Sequence, residues 1–269
     1  MGALKYSIRL VSQNLGPVSY AIYRAATLYI QSYKNINHDM NTNGEFYILN
    51  RMADLGAVTI FDVGANKGEY TNACLDRLRE AKIHAFELVP ETYAKFLVNV
   101  KSDRVTINKF GLSDKSGEID VNYNSSQDGL SSLIEGTEIN KGNWNKRKSI
   151  VRTGDEYCKS NGIESIDLLK MDVEGAENLV LGGFSEMLSG NRISAIQFEF
   201  GMINIYSKFL LIDFWNLLSG YGFVVGPLMP RGVDFKKYNV RDETFQGPPN
   251  YVAVHSSKQN IIAALKLKS

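Results

Sequence analysis

The stretch IFDVGANKGEY, from Ile60 to Tyr70, decides the fold. Its first residues are typical of the end of a buried strand, and Gly64 to Gly68 then turn sharply into a helix that we expect to begin near Glu69. Glycine lets the backbone pass close to a ligand because it has no Cβ. The free amides of the first helical turn would face that ligand. The sequence therefore predicts a strand, turn and helix unit that binds a nucleotide-like cofactor.

The spacing of the glycines and the acid before them narrow the kind of cofactor. A dinucleotide loop usually reads G-x-G-x-x-G, whereas Gly64 and Gly68 enclose G-x-x-x-G. Asp62 would repel a pyrophosphate but suits a ligand that carries an ammonium and a positive sulfonium. Glu87 follows Gly64 by 23 positions, where an acid grips ribose hydroxyls in nucleotide-binding sheets. A solvated strand-end charge is the alternative for Glu87.

Short apolar runs rich in β-branched residues alternate with helical stretches from Val58 onward, which predicts an α/β fold with a doubly wound parallel sheet. The predicted strands are Val58–Val63, Lys82–Leu88, Val105–Phe110, Ile166–Met171, Ile193–Phe200, Gly222–Gly226 and Tyr251–His255. We expect an N-terminal helical accessory segment over residues 1–50, the sheet domain over 51–257 and a C-terminal tail over 258–269.

Composition limits the partners. Thirty basic and 29 acidic residues give a formal charge of +1, so no global field would attract nucleic acid, although a local basic patch remains open. Cys74 and Cys158 match no metal-ligand or redox spacing, which predicts reduced thiols in a cytoplasmic protein.

The apolar stretch Val18 to Ile30 is too short to span a bilayer, so we expect no transmembrane segment and a soluble protein. Its apolar residues follow helical spacing. We expect this helix to pack on the domain; a second subunit, which would make a homodimer, and a membrane surface are the alternatives.

Six motifs occur together in the chain: FDVGANKGEYT at 61–71, AFELVPETYAKF at 85–96, GLSDKSG at 111–117, SSL at 131–133, LLKMDVEGAE at 168–177 and NYVAV at 250–254. In order and spacing they resemble the FkbM family of methyltransferases, from about Asn41 to His255. The resemblance implies a Rossmann-like class I methyltransferase fold, with a seven-stranded, mostly parallel sheet and an antiparallel last strand. It also implies S-adenosylmethionine as methyl donor and usually a hydroxyl oxygen as acceptor; known relatives act on polyketide hydroxyls and bacterial sugars.

The same resemblance assigns cofactor-binding roles by position. The residues carried over are Asp62, Gly64, Asn66 and Gly68 in the cofactor loop, Glu87 at the ribose, and Ser113 and Asp114 at the adenine. Tyr70, Leu88 and Asp172 are further cofactor-binding candidates. Leu88 replaces the proline of many relatives, which shifts the local turn but leaves the acid. NGEF at 43–46 resembles the first helix of the family, where Glu45 could approach the cofactor.

Three acids are catalytic candidates. Asp172 follows the fourth strand beside the switch point where ligands bind; alternatively it caps a helix starting at Val173, with Glu174 in the first turn. Glu199 stands in the apolar run IQFEFG, where burial without a partner is costly. A raised pKa would suit Glu199 to general-base catalysis, although a strand-end residue in water would show the same sequence.

A metal site is not indicated. Asp172, Glu174 and Glu199 could supply oxygen ligands to a divalent metal, but His38, His84 and His255 are scattered and form no supporting cluster. His38 could reach the mouth of the site. The acceptor pocket is expected from the loops 125–132, 201–208 and 229–250, whose aromatic and basic residues would suit a sugar diphosphate.

The leading hypothesis is an O-methyltransferase acting on a bacterial glycan or a nucleotide-linked sugar. A methyltransferase with a small natural-product acceptor is the first alternative. A nicotinamide-dependent sugar oxidoreductase or epimerase, and a noncatalytic cofactor-binding partner, are the alternatives from other classes. The missing third glycine and Asp62 argue against the nicotinamide enzyme.

Overall fold

The structure is a computed structural model that describes residues 2–13, 16–123, 131–132 and 145–268. Its helices are α1 Gly2–Gln13, α2 Pro17–Tyr33, α3 Glu45–Asp54, α4 Glu69–Arg77, α5 Pro90–Asn99, α6 Gly154–Ser160, α7 Glu177–Gly182, α8 Ser185–Ser189, α9 Asn204–Ser207, α10 Leu211–Gly220 and α11 Gln259–Leu265. Its strands are β1 Thr59–Val63, β2 Lys82–Phe86, β3 Val105–Asn108, β4 Gly111–Leu112, β5 Gly117–Tyr123, β6 Ser131–Ser132, β7 Asn145–Arg152, β8 Ile166–Met171, β9 Ile193–Glu199, β10 Phe223–Met229, β11 Gly232–Val233 and β12 Asn250–His255.

The main sheet has the strand order β11-β10-β12-β9-β8-β1-β2-β3 among the described residues. β1 pairs in parallel with β2 and β8, whereas β12 runs antiparallel to both of its neighbours, β9 and β10. The predicted Rossmann-like α/β sheet with an antiparallel last strand is confirmed. The sheet gains an eighth strand because the chain turns back after Met229 and pairs Gly232 with it.

A second sheet of order β4-β7-β5-β6 stands beside the main one. Its strand Gly117–Tyr123, in which polar and apolar residues alternate, pairs antiparallel with β7. The SSL motif and the predicted acceptor loop at 125–132 lie outside the described residues, apart from residues 131–132.

Alternate residues of β1 point to opposite faces of the main sheet, as strand geometry requires. Phe61 joins an aromatic-rich core with Phe86, while Ile60 joins a second core with Ile48 and Leu49 of α3. The predicted boundary at residue 50 therefore falls within α3, which packs as part of the domain. The predicted tail likewise contains α11, whose Leu265 is fully buried in the second core.

The N-terminal helices do not pack on the domain. α1 and α2 contain no buried residue. The expectation that the stretch Val18–Ile30 covers the domain is therefore wrong: the two cores are already closed by α3, α4, α10 and α11. Within the described ranges, no helix is both long enough and apolar enough to cross a membrane.

Candidate active site

A cavity of about 310 Å³ opens at the carboxyl edge of β1, β2 and β8. Ligands bind at this edge in open α/β sheets because strand order reverses there. The predicted site residues that line the cavity are Glu45, Gly64, Asn66, Tyr70, Glu87, Leu88, Asp172 and Glu174. The predicted residues outside its lining are Asp62, Gly68, Ser113, Asp114 and Glu199.

Two glycines shape the loop at the base of the cavity. Gly64 has φ +81°, and a Cβ there would lie 1.9 Å from the carbonyl oxygen of Asp172. Gly68 precedes α4 with φ +89°, and a Cβ there would lie 2.3 Å from Val100 Cγ2. Both positions therefore require glycine for conformation and for close approach. Gly68 acts on the shape of the loop without lining the cavity.

Asp62 is fully buried behind the loop. Thr71 Oγ1 donates a hydrogen bond of 2.6 Å to Asp62 Oδ2, and Lys170 Nζ lies 3.9 Å from Oδ1. Burial raises the pKa of Asp62, and the positive charge of Lys170 opposes that shift. Sequence reasoning did not select Lys170 as a site residue, although a lysine inside an otherwise apolar strand signals a buried acid nearby.

Glu87 holds the turn between β2 and α5 against the glycine loop. Its Oε2 accepts a hydrogen bond of 3.0 Å from the amide of Asn66, and its Oε1 accepts one of 2.8 Å from the amide of Val89. Burial raises the pKa of Glu87 to about 7. Each carboxylate oxygen keeps a second acceptor position, so Glu87 can still receive two hydroxyl groups from a ligand.

An apolar wall forms part of the cavity lining. It consists of Leu88, Leu112, Ile119, Val121 and Val151, and the last four come from the second sheet. A flat aromatic ring such as adenine fits such a wall. Sequence reasoning found Leu88 but missed the other four, because strand pairing within the second sheet brings them together from distant positions.

Ser113 and Asp114 directly follow Leu112 of this wall in the chain, but neither residue lines the cavity. Ser113 Oγ donates a hydrogen bond of 3.1 Å to Asp114 Oδ1. The carbonyl of Ser113 packs on the turn after α7, within 2.1 Å of where a Cβ on Gly183 would stand. Their predicted contact with adenine stays a prediction.

A pair of carboxyl groups stands at the other end of the cavity. Asp172 and Glu199 share a hydrogen bond, and Lys170 Nζ lies 3.0 Å from Asp172 Oδ2. Burial would raise the pKa of Asp172, but Lys170 outweighs it and lowers the pKa overall. Burial and the charge of Asp172 raise the pKa of Glu199 well above its ordinary value. The proton of the pair therefore resides on Glu199, and Asp172 carries the negative charge.

The pair opens toward solvent on one side. Asp172 is surrounded by protein atoms but faces the cavity, so its side chain stays 42% exposed. His38, which also lines the cavity, places Nδ1 3.7 Å from Glu199 Oε1. The predicted approach of His38 to the site mouth is confirmed by this distance.

The helix-cap alternative for Asp172 is wrong, because α7 begins at Glu177 and not at Val173. Glu177 Oε1 accepts hydrogen bonds from the amides of Val173 and Gly175, at 3.1 and 3.4 Å, and holds this turn in place. Glu174 adopts φ +52° in the turn and lines the cavity. Burial, with the charges of Asp172 and Glu177, raises the pKa of Glu174 to about 8.

Glu45 enters the cavity from α3. Its Oε1 accepts a hydrogen bond of 2.7 Å from Gln197 Nε2, and its Oε2 accepts one of 2.8 Å from Asn43 Nδ2. These bonds fix the carboxylate beside Lys170, whose pKa it helps to raise. The two bonds therefore hold the Glu45 carboxylate in one position at the cavity, and its contact with a cofactor stays a prediction.

Three buried polar atoms in and beside the glycine loop have no hydrogen-bond partner within the described part of the chain. They are Asp62 Oδ1, Asn66 Oδ1 and the hydroxyl of Tyr70. An unpaired buried polar atom costs free energy, so a polar ligand is expected to satisfy the two that line the cavity, on Asn66 and Tyr70. Together with the apolar wall and Glu87, these atoms fit a ligand that joins an amino acid, a ribose and an adenine.

Residues 2–13, 16–123 and 145–268 contain no group of three His, Cys, Asp or Glu side chains arranged to hold a metal ion. The described parts of the predicted acceptor segments, 201–208 and 229–250, do not line the cavity. Within the second segment, Lys236 donates a hydrogen bond to Asp242, and the hydroxyl of Tyr238 donates one to Glu243.

Residues 62–225 match the family model described as the Methyltransferase FkbM domain. The chain is 31% identical over 189 residues to the 2-O-methyltransferase NoeI of Sinorhizobium fredii, covering 65% of this chain and 76% of that protein. It is 28% identical over 185 residues to the hexuronic acid methyltransferase AglP of Haloferax volcanii, covering 66% and 72%.

Two solved structures show a similar overall fold at low identity. The methyltransferase FkbM of Methylobacillus flagellatus is 13% identical, with a TM-score of 0.45, covering 74% of this chain and 44% of that chain. The O-methyltransferase of Bacillus cereus, solved with S-adenosylhomocysteine, is 12% identical, with a TM-score of 0.47, covering 93% and 97%. At this level of likeness, the two structures add nothing to the assignment of the site.

Proposed function

This chain belongs to the FkbM methyltransferase family, and on that premise we propose that it methylates a hydroxyl of a glycan or a nucleotide-linked sugar, using S-adenosylmethionine. One relative is a hexuronic acid methyltransferase, which supports a sugar as the acceptor, and another is a 2-O-methyltransferase, which supports transfer to oxygen. The observation that carries the oxygen chemistry is the hydrogen-bonded pair of Asp172 and Glu199, because a hydroxyl must lose its proton on methylation.

The cofactor would be held by side chains of the glycine loop, of α4, of the turn after β2 and of the second sheet. Glu87 would accept the ribose hydroxyls, and the apolar wall around Leu88 and Ile119 would pack on the adenine. Asn66 and Tyr70 would use their unpaired polar atoms on the amino-acid part. Asp62 would act from behind the loop, since its charge favours a cationic ligand.

S-adenosylmethionine, when bound, supplies a methyl group already activated on a sulfonium. The protein then has to orient the acceptor oxygen for in-line attack and exclude competing water. The acceptor hydroxyl would lie against Asp172, which is the ionised member of the pair and faces the cavity. Lys170 would keep that carboxylate in position, and the charge of Glu45 would help to keep Lys170 protonated.

The proton has a route out of the site. When the acceptor oxygen is methylated, its proton would pass to Asp172. Glu199 would then release its own proton toward His38, whose ring nitrogen lies 3.7 Å away and whose side chain is 73% exposed. The pair thus returns to its starting charge with one proton in solvent.

A panel assay tests the proposal. The purified full chain is incubated with S-adenosylmethionine and nucleotide-linked sugars, with and without chelator, and S-adenosylhomocysteine is measured. We expect product with at least one sugar and no loss with chelator. Product with a small natural-product hydroxyl but with no sugar would overturn the acceptor class. Tight cofactor binding without product across both panels would instead indicate a noncatalytic partner.

A further inference from the structure

The helices α1 and α2 carry an apolar surface that the domain does not use. Thirteen of their large apolar side chains are between 46% and 73% exposed, among them Leu4, Ile8, Val18, Ile22 and Tyr29. Contiguous exposed apolar patches mark sites of interaction with a protein or a membrane. We propose that α1 and α2 dock the enzyme on an anionic lipid bilayer, lying in the interface without crossing it. The proposal is independent of the acceptor.

Each helix separates apolar from polar residues around its axis. In α1, Leu4, Ile8 and Val11 fall on one side at helical spacing, and Lys5 and Arg9 share the other. In α2, residues 18, 22, 29 and 33 share the apolar side, and residues 24 and 31 lie opposite. Amphipathic helices with cations on the polar side bind in the plane of a membrane interface.

Charge identifies the bilayer as the partner. Residues 1–38 hold four Lys and Arg side chains and no acid, whereas the other 231 residues hold 26 basic and 29 acidic side chains. A second copy of these helices offers no acid to the cations of the first, so self-association through them gains no charge complementarity. Anionic lipid supplies that counter-charge, at about 1 kcal/mol for each cation near the surface.

The aromatic content agrees with an interfacial position. Tyr20 and Tyr23, and Tyr29 and Tyr33, form ring pairs on the surface of α2 with centroids 6.5 and 6.2 Å apart. Tyrosine is enriched where one end of a side chain is in lipid and the other in water.

The docked helices would lie next to the active site. Asn35, directly after α2, is buried and donates hydrogen bonds of 2.7 and 2.9 Å to the carbonyls of Asn43 and Leu228. His38, which lines the cavity, follows Tyr33 by five residues, a reach of at most about 18 Å. A bilayer bound to the end of α2 would therefore lie close to the cavity.

Vesicle flotation of the full chain tests the proposal. We expect the protein to float with vesicles of three parts phosphatidylcholine to one part phosphatidylglycerol, and far less with phosphatidylcholine alone. Combining Ile8→Glu with Ile22→Glu should lower the partition coefficient roughly tenfold or more, because two apolar anchors are lost. The matched control, Gln13→Glu with Gln31→Glu, adds the same two side chains to the polar sides and should lose less.

The proposal is overturned if the wild-type chain fails to float with anionic vesicles, or if both double variants lose binding equally. It is also overturned if the chain self-associates in light scattering and only the isoleucine variant becomes monomeric, since a second copy then covers the face. Thermal melting by circular dichroism should match for all variants, because neither isoleucine is buried. The assay contains no methyl donor or acceptor, so its failure leaves the proposed reaction untouched.

Discussion

The ammonium of Lys170 lies 3.0 Å from the carboxylate of Asp172, although the lysine side chain is only 7% exposed. Its strand also places it beside Asp62, the register partner of Lys170 on β1. One buried cation thus lies near both the acid behind the cofactor loop and the acid that faces the cavity, and offsets part of their negative charge. A change at Lys170 is therefore expected to affect both the stability of the fold and the reaction at Asp172.

Replacement of Lys170 should destabilise the fold. In Lys170→Met, Asp62 is left buried without a counter-charge, which we expect to cost about 3 kcal/mol in free energy of unfolding. Urea denaturation measures the change. Lys82→Met, at the exposed start of β2, is the control and should change stability by less than about 0.5 kcal/mol. Equal stability of the two variants would contradict the role given to Lys170.

Cofactor affinity should depend on pH through Glu87. Its pKa of about 7 means that the carboxylate becomes fully ionised only above neutrality, and the ionised form accepts hydroxyls best. We expect the affinity for S-adenosylhomocysteine to rise roughly tenfold from about pH 6 to about pH 8 by calorimetry.

Glu87→Gln should bind weakly and lose most of this rise, whereas Glu91→Gln, in the first turn of α5, should keep it. Because all three proteins bind the same ligand, titration of the ligand itself cancels in the comparison. A wild-type rise that persists in Glu87→Gln would assign the pH dependence to another group.

Turnover should depend on the carboxyl pair more than binding does. Asp172→Asn removes the proton acceptor and should lower kcat roughly 100-fold or more, with S-adenosylhomocysteine affinity changed by less than about twofold. Glu199→Gln should also slow turnover, and the double variant should be little worse than Asp172→Asn, because the two act as a unit. Steady-state kinetics decide this, with the exposed Glu164→Gln as control. Additive losses would mean that the two acids work separately.

Stability of the free protein should fall as pH rises toward 8. The pKa values of Glu174, about 8, and Glu177, about 7, lie above the ordinary value of 4.5, so the folded chain keeps protons that the unfolded chain releases. Stability is then greatest near pH 5 and is lost through pH 8. Glu174→Gln should reduce this loss by roughly 1–2 kcal/mol in denaturant titrations, after allowance for solvent screening. Parallel pH curves for variant and wild type would exclude Glu174 as a source.

Local patterns in the sequence were sufficient for the sheet and the cofactor loop. Apolar runs predicted β1, β8 and β12, and Gly64 and Gly68 predicted the turn, because strand periodicity and positive φ are properties of neighbouring residues. Apart from Leu88, the apolar wall was not predicted, since Ile119 and Val151 lie on strands that only the pairing of β5 with β7 brings side by side. The two exposed helices show the same limit, because an apolar stripe does not identify the surface that covers it.

Transfer of a labelled methyl group tests the proposed O-methylation of a sugar most directly. The full chain is given S-adenosylmethionine with an isotopically labelled methyl and the nucleotide-linked sugars of the panel, and the products are analysed by mass spectrometry and NMR. We expect the wild-type protein and Glu164→Gln to place one labelled methyl on a sugar hydroxyl oxygen. With Asp172→Asn we expect almost no labelled product. A label on carbon or nitrogen, or equal labelling by Asp172→Asn, would contradict the proposal.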